Sequence, residues 1–159
     1  MIYISHRGNL EGIDKERENS LSYIDEAIAL GYEVEVDLRL NDGRLFFGHD
    51  TPDYNVTHAW LQKRKNKLWI HVKDYKSLVW LLNSEEDYRY FCHESDKYTL
   101  TSNGYVWSHD LKNNMINKCI VPLISKEQVM NFTQRSFYGV CTDYPVFCKK
   151  HFSNIHNTV

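Results

Sequence analysis

The sequence has no excess of charge of either sign. With 19 basic and 21 acidic residues the formal net charge is −2, so no basic field argues for nucleic acid or an anionic membrane. An anionic ligand therefore has to be held by local charges or by a metal. Long apolar runs are missing too. None reaches the ~18 residues that indicate a membrane span, and MIYISHRG at the start has no basic segment followed by an apolar one. An unexported protein without stable membrane insertion is expected. No C-x-x-C pair occurs. Cys92, Cys119, Cys141 and Cys148 are widely separated and mostly sit in apolar strand-like runs, which fits reduced, buried thiols in a cytoplasmic protein better than a zinc site or a disulfide frame. Internal repeats, low-complexity tracts and linker-like stretches are absent as well. Residues 1–159 are expected to form a single domain with a substantial core.

What is present is globular in composition, 42% apolar with 14% aromatic residues, and unusually rich in histidine, with eight. The organising stretch is YEVEVDLRLNDGRLFFGHD, from Tyr32 to Asp50. Tyr32, Val34, Val36, Leu38 and Leu40 alternate with Glu33, Glu35, Asp37 and Arg39, the period-2 pattern of a strand with one apolar and one ionised face. Asn41-Asp42-Gly43 tolerates positive φ, so the chain turns back sharply. A three-residue loop pairs Leu40 with Arg44 and sets His49 opposite Glu35; a two-residue loop sets it opposite Val36. Two carboxylates at i and i+2 beside an imidazole point to a divalent-metal site next to a proton-transfer group. The plainer alternative is an edge hairpin with a solvated charged face.

The rest of the chain bears on that choice. Met1 to Ser5 reads as a strand that leaves His6-Arg7-Gly8 at its carboxyl end, and Asn9 to Glu18 as a polar loop. Asn19 and Ser20 are N-cap candidates for a helix marked by Leu21, Ile24, Ala27 and Ile28, with Gly31 as its stop. Strand, helix and strand make a βαβ unit whose two strands are parallel. His6 and the Glu35/Asp37 pair then meet at the carboxyl edge, where parallel α/β architectures gather ligands. Further on, a Pro-containing loop follows His49. Helices are predicted over 58–65, 75–83 and 126–134, and strands over 68–72, 88–92, 118–124 and 137–142. Asn103-Gly104 marks a hairpin between 98 and 107, and the tail from Lys149 is expected to be polar and frayed.

With His6-Arg7-Gly8, Glu18-Asn19-Ser20, Glu35-Val36-Asp37, Asp42-Gly43, His49-Asp50 and Gly139-Val140-Cys141-Thr142-Asp143-Tyr144-Pro145 in view, the chain resembles the glycerophosphodiester phosphodiesterase family. The resemblance covers the first third and the last strand. It implies an α/β fold, a reduced or irregular TIM-type (β/α) barrel of the phospholipase-C-like phosphodiesterase kind. It also implies metal-dependent hydrolysis of a small-molecule phosphodiester, with His6 and His49 as the general acid and base. Glu35 and Asp37 would hold Mg²⁺ or Ca²⁺, and Arg7 and Lys73 would contact the phosphate. Glu18 matches the acidic residue before the family's Asn-Thr, with Ser20 in place of the Thr. His71 stands where the family carries a further metal-binding glutamate, which adds an imidazole to the ligand set and leaves one charge fewer.

A catalytically silent phospho-ligand-binding module and a sphingomyelinase D-like phospholipid lyase are the alternatives on the same resemblance. His93 and His109 flank the hairpin and either line a pocket or stabilise a loop. His58, His151 and His156 are expected on the surface. Trp60, Trp69, Trp80 and Trp107 read as core or rim, with Trp107 a candidate for shaping substrate choice.

Overall fold

In a computed structural model, which describes residues 1–111, 116–134 and 136–156 with the side chains of 155 and 156 excepted, the ionised strand lies at the centre of a ten-stranded sheet. Strand β1 (Ile2–His6), helix α1 (Leu21–Ala29) and strand β2 (Glu33–Asn41) form the expected βαβ unit, parallel, with His6 level with Glu35. Helix α1 begins at Ser20, whose Oγ accepts from Tyr23 N, because this satisfies an amide that has no partner within the helix. Asn19 is not the cap; it turns away at φ 63°.

The hairpin takes the two-residue loop. Asn41 pairs with Arg44, Asp42 and Gly43 supply φ of 48° and 74°, and β3 (Arg44–Phe47) returns antiparallel. Leu38 is paired both with Phe47 of β3 and with Val72 of β5 (Leu68–Val72), so β3 occupies the edge of β2 that β1 leaves vacant beyond His6. The ladder ends at Phe47, and His49 lies outside it rather than opposite Glu35 or Val36. Strand β4 (Tyr54–Val56) follows inside the stretch expected to be loop. Helix α2 (His58–Arg64), a 3-10 turn (Lys65–Lys67) and helix α3 (Tyr75–Leu82) flank β5, and β6 (Tyr90–Phe91) pairs with it. Then come the hairpin β7 (Tyr98–Leu100) and β8 (Val106–Ser108), β9 (Cys119–Pro122), α4 (Lys126–Asn131), β10 (Gly139–Thr142) and α5 (Pro145–His156).

The parallel strands lie in the order β6-β5-β2-β1-β10-β9-β8, with β3, β4 and β7 added antiparallel. This corrects the expected TIM-type barrel. The sheet is mixed and curls into a half-barrel, and the five short helices among the described residues do not alternate with the strands. The physical reason lies between β6 and β9. Asn103-Gly104 reverses the chain into a hairpin where a crossover helix would be needed, and β6 is two residues long. Among the described residues β6 meets the hairpin loop through Ser102, whose N donates to Tyr90 O at 2.8 Å and whose Oγ accepts from Tyr90 N at 3.0 Å, and no β6–β8 ladder forms. The tail is a second correction. Residues 145–156 are helical, and Cys148 and Phe152 are buried against β9 and β10. No described helix is long and apolar enough to cross a membrane.

Alternation distributes the side chains into layers. Val34, Val36, Leu38, Leu68, Ile70 and Val72 point outward to the helices as one core, while Ile4, Trp69, Phe91, Trp107, Ile120 and Cys141 fill the inside of the curl. One step further along the same inner faces come His6, Asp37, His71 and Asp143, so the apolar filling forms the floor of a polar cavity. Gly48 controls how the chain leaves β3 for that cavity. Its φ is 151° and a Cβ there would lie 2.0 Å from Thr51 O, whereas Gly31, at φ 89°, has nothing within 4 Å. Gly48→Ala is expected to cost more than the ~1–3 kcal/mol of backbone strain alone, and Gly31→Ala only that strain. Urea unfolding of the two variants checks the order.

Candidate active site

Every residue singled out for chemistry lines or borders one cavity of about 400 Å³. His6, Arg7, Glu35, His49, His71 and Lys73 line it, together with His93, Glu94, Trp107 and His109. Asp37 lies directly behind them, wholly buried. Backbone pairing brings the segments together. Glu35 O accepts from Arg7 N at 2.9 Å and Asp37 O from Gly48 N at 3.0 Å on one edge of β2, while Leu38 O accepts from Lys73 N at 3.0 Å. The loops after β1, β3 and β5 therefore meet at neighbouring rungs of a single strand.

His6 is held by Asp143, the acid that follows the last strand and to which no role is assigned from sequence. Its Nδ1 lies 2.7 Å from Asp143 Oδ1, which leaves Nε2 facing the cavity 3.8 Å from Glu35 Oε2. Asp143 is completely buried, and the same oxygen accepts from Asn9 Nδ2 at 2.8 Å. Asn9 also donates to Glu18 Oε1 at 2.8 Å and accepts from Asp14 N at 3.0 Å. The stretch read as a polar loop thus carries a fully buried asparagine that orients the His6–Asp143 pair. Burial pulls the His6 pKa down, but the Asp143 hydrogen bond and the Glu35 and Asp143 charges outweigh it and raise the net value.

Glu35 and Asp37 are 2% and 0% exposed, so the solvated edge hairpin is excluded. The carboxylates are met by cations and amides. Arg7 Nε is 3.0 Å from Asp37 Oδ2, Arg7 Nη1 donates to Glu18 at 3.2 Å, and Asn19 brackets Asp37, Nδ2 donating to Oδ2 and Oδ1 accepting from Asp37 N, both at 3.0 Å. Burial would raise the Asp37 pKa; His71, Arg7 and the Asn19 bond reverse this and hold it well below the usual carboxylate range.

His71 faces both acids. Its Nδ1 is 3.2 Å from Asp37 Oδ1 and 3.6 Å from Glu35 Oε1, and its Nε2 is 3.2 Å from His93 O. A carbonyl only accepts, so Nε2 carries a proton and Nδ1 is the nitrogen offered to the acids. That is the orientation of a metal-ligating histidine whose other N–H is anchored to the backbone. Ligand atoms of Glu35, Asp37 and His71 lie within 4.8 Å of one another; Glu35 Oε2 is buried without a hydrogen bond, and Asp37 Oδ1 is met by His71 at 3.2 Å and by Lys73 at 3.9 Å. Such oxygens are costly unless a cation meets them, so the donor set fits a divalent ion. With protons as the only small cations, burial lowers the His71 pKa but hydrogen bonds to Asp37 and Glu35 raise it to about 9.

The remaining histidines divide. His49 is at the lip, 39% exposed, its Nδ1 2.8 Å from Asp50 Oδ1. Its carbonyl accepts from Arg39 Nη2, and Gly48 O from Arg39 Nε at 3.0 Å. His93 stacks on His71 and meets His109. Burial, helped by the His71 charge, lowers both pKa values, that of His93 to about 4. These two belong to the cavity, not to a remote loop. His58 is on the surface, whereas His151 is half-buried beside Phe147; the His156 side chain lies outside the described residues. Trp69 and Trp107 are core as expected. The placement of Asp143 at the end of a parallel strand was a usable signal for its role. Nothing in the local sequence of Asn9 distinguishes it from any loop asparagine.

A proton on His71 stabilises the fold only while it is bound. The raised pKa contributes up to about 3 kcal/mol that is fully present below pH 6.5 and lost as pH rises through about 9. Chelator-treated protein is expected to lose urea resistance across that window. In His71→Asn the slope shrinks to the part contributed by His6, and an unchanged slope would refute the assignment. No protein-family model, curated protein or solved structure matches the chain.

Proposed function

We propose that the chain is a divalent-cation-dependent phosphodiesterase acting on a glycerophosphodiester or a related small phosphodiester. The observation that carries the reading is the meeting, in one cavity, of the His6–Asp143 pair with the Glu35, Asp37 and His71 donors. Each alone has a structural explanation; together they supply a proton-transfer group beside a place for a cation. Glu35, Asp37 and His71 would hold the cation, which would supply charge neutralisation for the phosphate oxygens. The resemblance favours Mg²⁺ or Ca²⁺, and the imidazole of His71 broadens the range toward first-row transition ions.

The chain's own groups do the rest. Arg7 spends donors on Glu18 and Asp37, but a guanidinium has five, and the others serve an anion in the cavity. Lys73, 3.9 Å from Asp37 Oδ1, adds a second positive charge. One of His6 and His49 takes a proton from the attacking hydroxyl, and the other gives one to the leaving alcohol oxygen. Asp143 fixes the His6 ring so that Nε2 is the working nitrogen. A cavity of about 400 Å³ suits a head group rather than an acyl chain.

Turnover of a glycerophosphodiester is to be measured with Mg²⁺, Ca²⁺ or Mn²⁺ and with chelator. Activity is expected to need the cation, and His6→Ala and His49→Ala are each expected to lower kcat by ~10²–10⁴. Glu35→Gln is expected to weaken the cation dependence by raising the concentration needed. Activity of both histidine variants at the wild-type level sinks the proposal. Substrate-analogue binding without any turnover replaces it with a silent binding module.

A further inference from the structure

The His93–His109 pair takes no part in the proposed reaction. His93 follows β6 and His109 follows β8, two strands that share no ladder, yet their Nε2 atoms lie 3.2 Å apart on the cavity wall. The rings are 4.7 Å apart and tilted by 46°. His93 is stacked against His71, 4.9 Å centre to centre and nearly parallel at 8°. Its Nδ1 is buried without a hydrogen bond, so Nε2 is the nitrogen that meets the cavity. A single N–H···N bond also fits 3.2 Å, but it needs one Nε2 to donate and the other to accept, whereas a shared cation takes the lone pair of each. Two nitrogens on one tetrahedral ion, each about 2.0–2.1 Å from it, stand about 3.3 Å apart.

We propose that His93 and His109 form a second cation site, for a borderline-soft ion of the Zn²⁺ or Ni²⁺ class, adjoining the carboxylate cluster. Its donors are imidazoles, which favour those ions over Mg²⁺ and Ca²⁺, and its remaining positions open to the cavity, where water or an anionic ligand group completes the shell. Stacking against His71 presets one ring and the chain reversal at β7–β8 the other, so little ordering is needed on binding. The inference stands apart from the proposed reaction, since it needs no turnover and no carboxylate ligand.

The test is Zn²⁺ binding to the Glu35→Gln protein, in which the carboxylate site loses one of its three donors, followed by calorimetry and by ¹⁵N shifts of the ring nitrogens. One equivalent is expected to bind, with Nε2 of both His93 and His109 shifted. Adding His109→Gln, a substitution at an exposed position, is expected to weaken binding at least tenfold. Wild-type protein, whatever its activity, is expected to bind one more equivalent than His109→Gln. Unshifted Nε2 signals in excess Zn²⁺, or equal affinity with and without His109, overturns the proposal.

Discussion

Two carboxylates two residues apart on one strand, both turned into the inside of a curled sheet, set the terms for everything around them. Glu35 and Asp37 are nearly or wholly inaccessible, and like charges this close in a poorly solvated place are mutually destabilising. The chain answers with cations from two directions and an amide from a third. Arg7 comes from the end of β1, His71 and Lys73 from β5 and the residue after it, and Asn19 supplies a neutral amide from the helix entrance. Arg7 and Asn19 hold backbone φ of 55° and 63° to do so. A non-glycine residue in that region is uncommon and costs free energy, and here both strained residues end on the same carboxylate.

The apolar layering makes this arrangement rigid. Ile4, Trp69, Ile120 and Cys141 are buried below the polar groups, and Phe91 stacks on Trp107 at 4.3 Å and on His71 at 5.0 Å. His93 closes the aromatic cluster, stacked on His71 at 4.9 Å and on Phe91 at 5.9 Å. Packing thus fixes the plane of the His71 ring while the His93 carbonyl fixes which nitrogen faces the acids. Such double restraint separates a preorganised site from histidines that merely happen to be near carboxylates.

How far the sequence disclosed this follows from which interactions are local. The period-2 run of β2, the cap at Ser20 and the Asp42-Gly43 turn are encoded within a few residues, and all three are found. The βαβ rule then carries His6 to Glu35. The His6–Asp143 contact spans 137 positions and the Asn9–Asp143 contact 134, and no local pattern announces either. The hairpin marked by Asn103-Gly104 is likewise local and is found as β7–β8. What fails is the barrel, implied by a resemblance confined to the first third and the last strand, because sheet closure depends on long-range pairings that no local pattern carries. The tail was misjudged because its polar residues hide an apolar pair, Cys148 and Phe152, four apart on one helical face.

His71 shows why the two acids alone do not define the site. A glutamate at that position would bring a third negative charge to a place already holding two, and it would have to be neutral or metal-bound to be tolerated. An imidazole is tolerated in either state. Without a metal it takes a proton and becomes the counter-ion of Asp37 and Glu35; a bound cation would displace that proton and take Nδ1, while Nε2–H stayed on the His93 carbonyl. Proton and cation would thus compete for the same lone pair. In either state a positive charge would face the two buried carboxylates, which keeps them compatible with a folded chain.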